Sequence, residues 1–254
     1  MAQTDQILAV GGENLIDHVT REGVVSAKPG GSPFNVAFAL ARQGAAVRYL
    51  SPISTDAWGD QLAQTLEEAG ATLAGGRSAQ PTTMARVLIS KGIPTYKFER
   101  EGTAERAVSA QGLAAGLAGA ASVHTGSLAL TEGADAALWE DAVGRARGQG
   151  MFVSLDPNVR LSIISDLQSY RERIFRMLGQ VDLLKLSDED LEGLLPGQSQ
   201  ADGLAALRAR TSAKLIILTE GSGGATAWSV PGEGAPGRVP AAPVENLVDT
   251  VGGR

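Results

Sequence analysis

Short apolar runs of strand length alternate along this chain with longer segments that have helical spacing. The strand-like runs are residues 7–10, 47–53, 122–124, 151–155, 181–186 and 215–219. The segments with helical spacing are residues 35–43, 58–69, 134–147, 170–178 and 204–210. Because parallel strands need a crossover that is usually a helix, this order predicts an α/β fold. We expect a doubly wound, mostly parallel sheet with helices on both faces.

Two strand-like segments, residues 84–91 and 95–100, break this alternation because no helix separates them. Gly92 and Pro94 between them are turn residues, so the pair predicts a hairpin, which Val24 and Val25 are expected to join. We therefore expect a small antiparallel β lid over the edge of the sheet where ligands bind. The expected organisation is a core of residues 1–13, 27–82 and 108–254, and a lid of residues 14–26 and 83–107.

Composition excludes several classes of protein. Cysteine is absent and histidine occurs only twice, which excludes disulfides, thiolate nucleophiles and metal centres rich in cysteine or histidine. The net charge of −6, with no basic block, argues against nucleic acid or an anionic membrane as a partner. The sequence has no apolar run long enough to cross a membrane and shows no signal-peptide pattern, so we expect a cytoplasmic protein.

Glycine is unusually frequent, at 32 of 254 residues, and it is clustered rather than periodic. The clusters fit none of the common nucleotide or hydrolase motifs. There is no Gly-Lys pair for a P-loop and no nucleophile elbow. Gly221-Ser222-Gly223 is followed by Thr226 where a dinucleotide fingerprint needs its third glycine. A nicotinamide-dependent oxidoreductase is therefore disfavoured.

Two motifs near the amino terminus suit a polyhydroxyl ligand. Asp17 follows the first strand, and a carboxylate there can accept hydrogen bonds from neighbouring sugar hydroxyls. Gly30-Gly31 precedes a helix that begins near Asn35, and this arrangement exposes backbone N–H groups beside an amide side chain. The alternatives are an ordinary solvated carboxylate and a plain turn with a helix cap.

Three later motifs suit phosphate. Residues 156–160 follow a buried strand and end in Arg160, which can bind phosphate through two N–H groups. Residues 219–224 form a glycine loop that could wrap a phosphate chain, although a hairpin turn is equally compatible. Residues 249–253 could open a helix whose first N–H groups form an anion hole.

Taken together in this order, the motifs resemble those of the ribokinase-like (PfkB) family of carbohydrate kinases over residues 7–252. The segments that carry the resemblance are Gly12-Glu13 with Asp17, Pro29-Gly30-Gly31 with Asn35, Asp56 with Gly59, and residues 156–160, 185–190, 219–221 and 249–252. The resemblance implies a doubly wound α/β domain with a β lid. That fold agrees with the sheet and lid expected from the strand pattern.

Residues 12–17 and 101–106 look most like those of bacterial fructokinases. The resemblance implies transfer of the γ-phosphoryl group of ATP to a primary hydroxyl of a ketohexose, fructose first, with Mg²⁺ bridging the phosphates. It implies substrate contacts for Asp17, Gly30, Gly31, Asn35, Phe98 and Arg100. It implies nucleotide contacts for Asn158, Ser187, Thr219, Gly221, Gly223 and Gly224, and catalytic contacts for Arg160, Gly252 and Gly253, the two glycines as an anion hole.

The sequence departs from the family pattern in two places. The pattern continues after Gly253 with a glycine and then the aspartate that takes the hydroxyl proton, whereas this sequence has Arg254 in place of that glycine and does not include the aspartate. We therefore expect the sequence to lack the carboxyl-terminal part that supplies the base. Ser187 and Asp190 replace the asparagine and glutamate that the family often has, so Asp190 is expected to reach Mg²⁺ through water.

The sequence leaves several alternatives open. A 2-keto-3-deoxygluconate kinase or a ribokinase would share the fold, and Arg100 or Arg160 could then meet a substrate carboxylate. A sugar- or nucleotide-binding protein without catalysis would use the same pocket without the base. Whether K⁺ activates the protein is also open. We expect a homodimer joined through the lid, because unpaired lid edges favour association.

Overall fold

The computed structural model describes residues 6–21, 23–90, 93–230 and 235–243. Its strands are β1 (Leu8–Val10), β2 (Leu15–Arg21), β3 (Val24–Gly30), β4 (Val47–Tyr49), β5 (Ile53–Ser54), β6 (Thr72–Leu73), β7 (Arg77–Ser78), β8 (Thr83–Ser90), β9 (Ile93–Glu99), β10 (Ser122–Gly126), β11 (Phe152–Asp156), β12 (Leu183–Ser187), β13 (Leu215–Thr219), β14 (Ala225–Ser229) and β15 (Gly237–Val239). Its helices are α1 (Ser32–Arg42), α2 (Ala57–Ala69), α3 (Ala110–Leu117), α4 (Ala134–Gly148), α5 (Leu167–Leu178), α6 (Asp188–Leu194) and α7 (Gln200–Arg208).

The main sheet has the strand order β15-β14-β13-β12-β11-β10-β1-β4-β6. Strands from β13 to β6 in that order run parallel, and β14 and β15 add an antiparallel edge. Ala9 and Val10 point to opposite faces of β1 and belong to different apolar clusters. One cluster packs α1 and α2, and the other packs α3 to α7. The predicted parallel sheet with helices on both faces is confirmed.

Sequence patterning places most elements correctly but merges or misses a few. The predicted strand over residues 47–53 divides into β4 and β5, because Ser51 turns back to accept the Gly12 N–H (2.9 Å) and Pro52 has no N–H for a ladder. Helix α6 was not predicted, since it has only seven residues and begins with three consecutive acidic ones. Its start is fixed by side-chain capping, which apolar periodicity does not reveal.

A separate four-stranded sheet of order β3-β2-β8-β9 forms the lid. Strands β8 and β9 make the predicted antiparallel hairpin, and β2 pairs antiparallel with β3 but parallel with β8. The expected small antiparallel β structure is therefore present. Strand β3 continues to Gly30, so the chain leaves the lid directly at Gly30-Gly31. In the part of the chain that is described, no helix is long and apolar enough to cross a membrane.

Asp56 anchors the start of α2 and ties it to the chain that enters the lid. Its carboxylate accepts the Gly59 N–H at 2.7 Å, the Thr82 N–H at 2.8 Å and the Thr82 hydroxyl at 2.6 Å. Burial tends to raise the pKa of Asp56, but the hydrogen bonds from Thr82 and Gly59 outweigh it and lower the pKa below its ordinary value. The motif residues Asp56 and Gly59 are therefore explained by helix capping.

Replacing Asp56 with alanine is expected to lower the free energy of unfolding by about 2 kcal/mol, because a helix cap and a buried partner are lost. Because the folded-state pKa is depressed, this stabilisation is present near neutral pH and fades as pH falls through the folded pKa. Urea unfolding at pH 7 and pH 3.5 measures both effects. The control Asp60→Ala removes an exposed carboxylate on the same helix and should change stability by less than about 1 kcal/mol. Equal losses in the two variants would contradict the capping role.

Candidate active site

The carboxyl ends of β1, β10, β11, β12 and β13 lie side by side at one edge of the main sheet. Parallel register sets this alignment, with Val10 beside His124, His124 beside Ser154, and Ser187 beside Thr219. The segments that follow β11, β12 and β13 carry the predicted phosphate-binding residues that are described, and the segment after β1 leads into the lid strand that carries Asp17. This edge is where open α/β sheets bind ligands.

The turn after β1 is fixed by buried hydrogen bonds. The Tyr49 hydroxyl donates to the Gly12 carbonyl at 2.9 Å, and the Asn14 amide donates to the Pro52 carbonyl at 3.1 Å. Glu13 is 2% exposed, and its Oε1 accepts the Ser32 N–H at 2.8 Å. These bonds hold the turn against the start of α1.

Gly31 must be glycine for two reasons. Its φ of 109° lies in the left-handed region, and a Cβ there would lie 2.5 Å from the Glu13 carbonyl oxygen. Gly31 is also the N-cap residue of α1, and its carbonyl accepts the Asn35 N–H at 2.9 Å. The Asn35 side chain is exposed on the first turn of α1. The backbone of Gly31 and the amide of Asn35 are therefore presented beside the turn after β1.

Asp17 and Arg160 come from different parts of the fold and act on each other electrostatically. Asp17 lies on lid strand β2, and burial raises its pKa above the ordinary value while the charge of Arg160 opposes that rise. Gly30 leaves room for Asp17, because a Cβ on Gly30 would collide with the carboxylate. Phe98 on β9 packs against the apolar cluster of Leu15, Ala85 and Leu128, and its strand partner Ala85 is also the partner of Asp17. The structure thus brings Asp17, Gly30, Phe98 and Arg160 to the region between lid and sheet.

Arg100 lies just after β9 and is only 8% exposed. Its guanidinium donates to Glu105 at 2.7 Å and to the Thr131 hydroxyl at 3.2 Å, and lies 3.4 Å from Asp135. These partners join the end of the lid to the core. Contact between Arg100 and a sugar stays a prediction, whereas this buried ion-pair network was not visible in the sequence.

The loop after β11 is held in a strained conformation. Asn158 has a φ of 39°, which is uncommon for a residue other than glycine and frequent at functional sites. Its N–H donates to Asp156 at 3.2 Å, and Asp156 pairs with Lys185 at 3.0 Å. Burial raises the pKa of Asp156, and the positive charge of Lys185 opposes the rise. The loop therefore presents Asn158 and Arg160 at the strand ends in a fixed shape.

Asp190 connects this loop to the next strand. One carboxylate oxygen accepts the Val159 N–H at 2.6 Å, and the other accepts the Ser187 N–H at 2.7 Å. The Ser187 hydroxyl in turn accepts the Asp190 N–H at 3.0 Å, which completes a capping box at the start of α6. Asp190 is 3% exposed, so its carboxylate is largely committed to the protein.

The predicted glycine loop follows β13. Residues Gly221–Gly223 form one 3₁₀ turn, and Gly221 and Gly224 have positive φ angles of 52° and 88°. A Cβ on Gly221 would meet open space, whereas one on Gly224 would collide with the backbone of β15. The loop is therefore a hairpin turn into β14, and its contact with a phosphate chain stays a prediction. Gly252 and Gly253, predicted as an anion hole, lie outside the described residues.

Sequence reasoning missed the supporting residues of this site. No role is predicted from the sequence for Lys185, Ser127 or Glu105. In the structure, Ser127 has a φ of 56° at the end of β10, and Glu105 is 2% exposed. Charged residues inside the motifs, such as Lys185 and Glu105, are the sequence signal that could have indicated buried ion pairs. Backbone strain at Ser127 leaves no mark in the sequence. Among the described residues, no cluster of three or more histidine, aspartate or glutamate side chains could hold a metal directly.

Comparison with known proteins identifies the family. A family profile for pfkB family carbohydrate kinases matches residues 6–253, and the chain belongs to that family. A fructokinase of Rhizobium leguminosarum bv. trifolii is 33% identical over 226 residues, which cover 86% of this chain and 68% of that protein. A fructokinase of Klebsiella pneumoniae is 31% identical over 91% of this chain and 75% of its own length. The crystal structure of fructokinase from Xylella fastidiosa superposes with a TM-score of 0.81 at 27% identity, covering 92% of this chain and 78% of that one.

Replacing Asp190 with alanine is expected to lower the free energy of unfolding by about 2–4 kcal/mol, because two backbone N–H groups lose their acceptor. Hydrogen exchange at the Val159 and Ser187 amides should become at least about tenfold faster. The matched control is Asp188→Ala, whose exposed carboxylate accepts only the neighbouring Glu189 N–H among the hydrogen bonds of the described residues. Unchanged hydrogen exchange at the Val159 amide in the Asp190 variant would contradict the role of Asp190 in joining the loop after β11 to the start of α6.

Proposed function

We propose that this protein transfers the γ-phosphoryl group of ATP to a primary hydroxyl of fructose and forms fructose 6-phosphate. The observation that carries the proposal is that Asp17 on lid strand β2 interacts electrostatically with Arg160, which lies in the loop after β11 at the carboxyl edge of the sheet. The similar proteins of Rhizobium and Klebsiella are named fructokinases, and a structure of the Xylella fructokinase contains bound ATP. These likenesses support both the sugar and the phosphate donor.

The sugar would lie between the lid and the turn after β1. Asp17 would accept hydrogen bonds from two sugar hydroxyls, and Asn35 would bond another. Gly30 and Gly31 would let the sugar approach the backbone, since neither carries a Cβ. Phe98 would cover the sugar from the lid. Arg100 is already occupied by Glu105, so any sugar contact by Arg100 would use the remaining N–H capacity of its guanidinium.

The phosphates of ATP would lie across the ends of β11 to β13. Arg160 would bind the transferring phosphoryl group, and its partly buried side chain strengthens that interaction relative to water. Asn158, Ser187, Thr219 and the glycine loop would contact the nucleotide. Gly252 and Gly253 would complete the anion hole, as the family resemblance implies.

Magnesium fits this arrangement only as a partner of the nucleotide. Both oxygens of Asp190 already accept backbone N–H bonds, so this residue suits a water-mediated rather than a direct link. When bound, Mg²⁺ would neutralise phosphate charge. The chain's own residues would orient the hydroxyl and the phosphoryl group, which is catalysis by positioning and electrostatics. The family pattern places the proton acceptor three residues beyond Gly252, outside the described residues, so we assign no base among them.

A second candidate is a protein that binds sugar and nucleotide in the same pocket without turnover, because no base is assigned among the described residues. The discriminating assay is fructose-dependent ADP release from Mg·ATP, with ribose and 2-keto-3-deoxygluconate as alternative substrates and calorimetry for binding. Turnover that is greatest with fructose is the expected result. Fructose binding without ADP release would favour the second candidate, and neither binding nor release would overturn both.

Asp17→Ala should weaken fructose binding about a hundredfold, because two hydrogen bonds to a charged acceptor are lost. Nucleotide affinity should stay within about threefold of the wild type, since the nucleotide contacts lie on other strands. Calorimetry with fructose and with ATP separates the two effects. The control Asp141→Ala changes an exposed carboxylate on α4 and should alter neither affinity. Unchanged fructose affinity in the Asp17 variant would contradict its assignment.

We also propose a homodimer joined through the lid. Strand β3 is an edge of the lid sheet, and its first residues Val24 and Val25 are 71% and 55% exposed. Sedimentation at micromolar concentration should show a dimer that Val25→Lys converts to a monomer. Val239→Lys, at a valine on β15 that is 66% exposed, is the control and should stay dimeric. A monomeric wild type would refute this assembly.

A further inference from the structure

Four chain segments join the lid to the core: two at the ends of the β2–β3 ribbon and two at the ends of the β8–β9 hairpin. A buried glutamate lies at each of these two pairs. Glu13 directly precedes the segment that enters β2, and its carboxylate accepts the N–H of Ser32, which follows β3. One side chain therefore ties together both ends of the β2–β3 ribbon. Because Glu13 is 2% exposed, this tie is inside the protein rather than on its surface.

Glu105 does the same for the β8–β9 hairpin. Its carboxylate accepts the hydroxyl of Thr83, the first residue of β8, at 3.2 Å, and the guanidinium of Arg100, which follows β9, at 2.7 Å. Arg100 extends the link to Asp135 on α4. All four segments that connect lid and core therefore meet a buried carboxyl group.

The two carboxyl groups act on each other but have unequal partners. Burial, with a smaller contribution from the charge of Glu105, raises the pKa of Glu13 to about 7. Burial also raises the pKa of Glu105, while Arg100 opposes the rise. Within the described residues no cation pairs with Glu13, and its Oε2 is buried without a hydrogen bond. Glu13 is therefore the member of the pair whose negative charge has no compensating partner, whereas Glu105 is paired with Arg100.

Among the described residues, the other ionisable groups around the two glutamates supply no positive charge that pairs with Glu13. The groups that face the two glutamates are Tyr49 on β4, Arg100 and Arg106 after β9, and Asp135 on α4. Burial raises the pKa of Tyr49 well above its ordinary value, so the tyrosine stays neutral. Both arginines bond to Asp135, and Arg100 also bonds to Glu105. The Ser127 hydroxyl tends to lower the pKa of Glu13 but carries no charge that could pair with an ionised carboxylate.

We propose that Glu13 is a positioning residue whose protonated form holds the β2–β3 end of the lid against the core, and that release of this proton to solvent loosens the lid and weakens sugar binding. An ionised Glu13 would be an unpaired buried charge beside a second carboxylate, which is relieved only by moving toward water. That movement would release the Ser32 N–H and disturb Gly31. The proposal rests on the sugar site assigned above.

Fructose affinity measured by calorimetry between pH 6 and 8.5 tests this coupling. In the wild type the Kd for fructose should rise above pH 7, by up to tenfold per pH unit, because one proton is linked to binding. Glu13→Gln keeps an acceptor for Ser32 and removes the titration, so its Kd should change little over this range. Glu67→Gln, at an exposed position on α2, is the control and should follow the wild type. The same pH dependence in Glu13→Gln and wild type would overturn the proposal.

A measurement without ligand separates failure of this proposal from failure of the sugar site. The folded state binds a proton at Glu13 that the unfolded chain releases near pH 4.5, so folding is progressively opposed as pH rises to about 7 and is then unaffected. The ratio of wild-type to Glu13→Gln folding constants should therefore fall between those pH values, by up to tenfold per unit, and level off above them. A ratio independent of pH would overturn the proposal even if fructose did not bind.

The native protein alone gives a third readout, which does not require the variant to fold. Fructose binding at pH 8, measured in buffers of different ionisation enthalpy, should be accompanied by net proton uptake. Binding with no proton uptake would contradict a Glu13 that must be protonated to hold the lid.

Discussion

The parallel register of β1, β10, β11, β12 and β13 is the constraint on which the site depends. Because the strands run in one direction, the segments that follow them all begin at the same edge. Residues distant in sequence, such as Val159 and Asp190, thereby become neighbours. A slip of one residue in any of these strands would exchange the side chains on its two faces. The apolar clusters on both sides of the sheet therefore also fix the positions of the site residues.

The site is further stabilised by carboxylates that join segments to one another. Asp56 joins α2 to the chain entering β8, and Asp190 joins the loop after β11 to the start of α6. Each accepts backbone N–H groups, so each satisfies donors that would otherwise be left without partners beside the site. Glu13 and Glu105 extend the same principle to the lid. The lid can therefore be positioned accurately although it shares no sheet with the core.

The sequence predicts the architecture well because apolar periodicity and turn residues are local signals. It predicts the parallel sheet, the β8–β9 hairpin and the family, which later comparison establishes. It also selects Asp17, Gly30 and Arg160, which the fold brings together. It does not predict that Arg100 is buried among Glu105, Thr131 and Asp135, because ion pairs between distant segments depend on tertiary packing. The strain at Asn158 and Ser127 is hidden for the same reason.

The proposed roles follow from the positions of these side chains, and a structure with bound sugar would test those roles directly. The most direct measurement is a crystal structure of the protein with fructose and a non-hydrolysable ATP analogue. The account predicts sugar hydroxyls within hydrogen-bond distance of the Asp17 carboxylate and a primary hydroxyl facing the γ-phosphate beside Arg160. Fructose bound away from the edge formed by β1, β10 and β11, or with Asp17 contacting only protein, would contradict it.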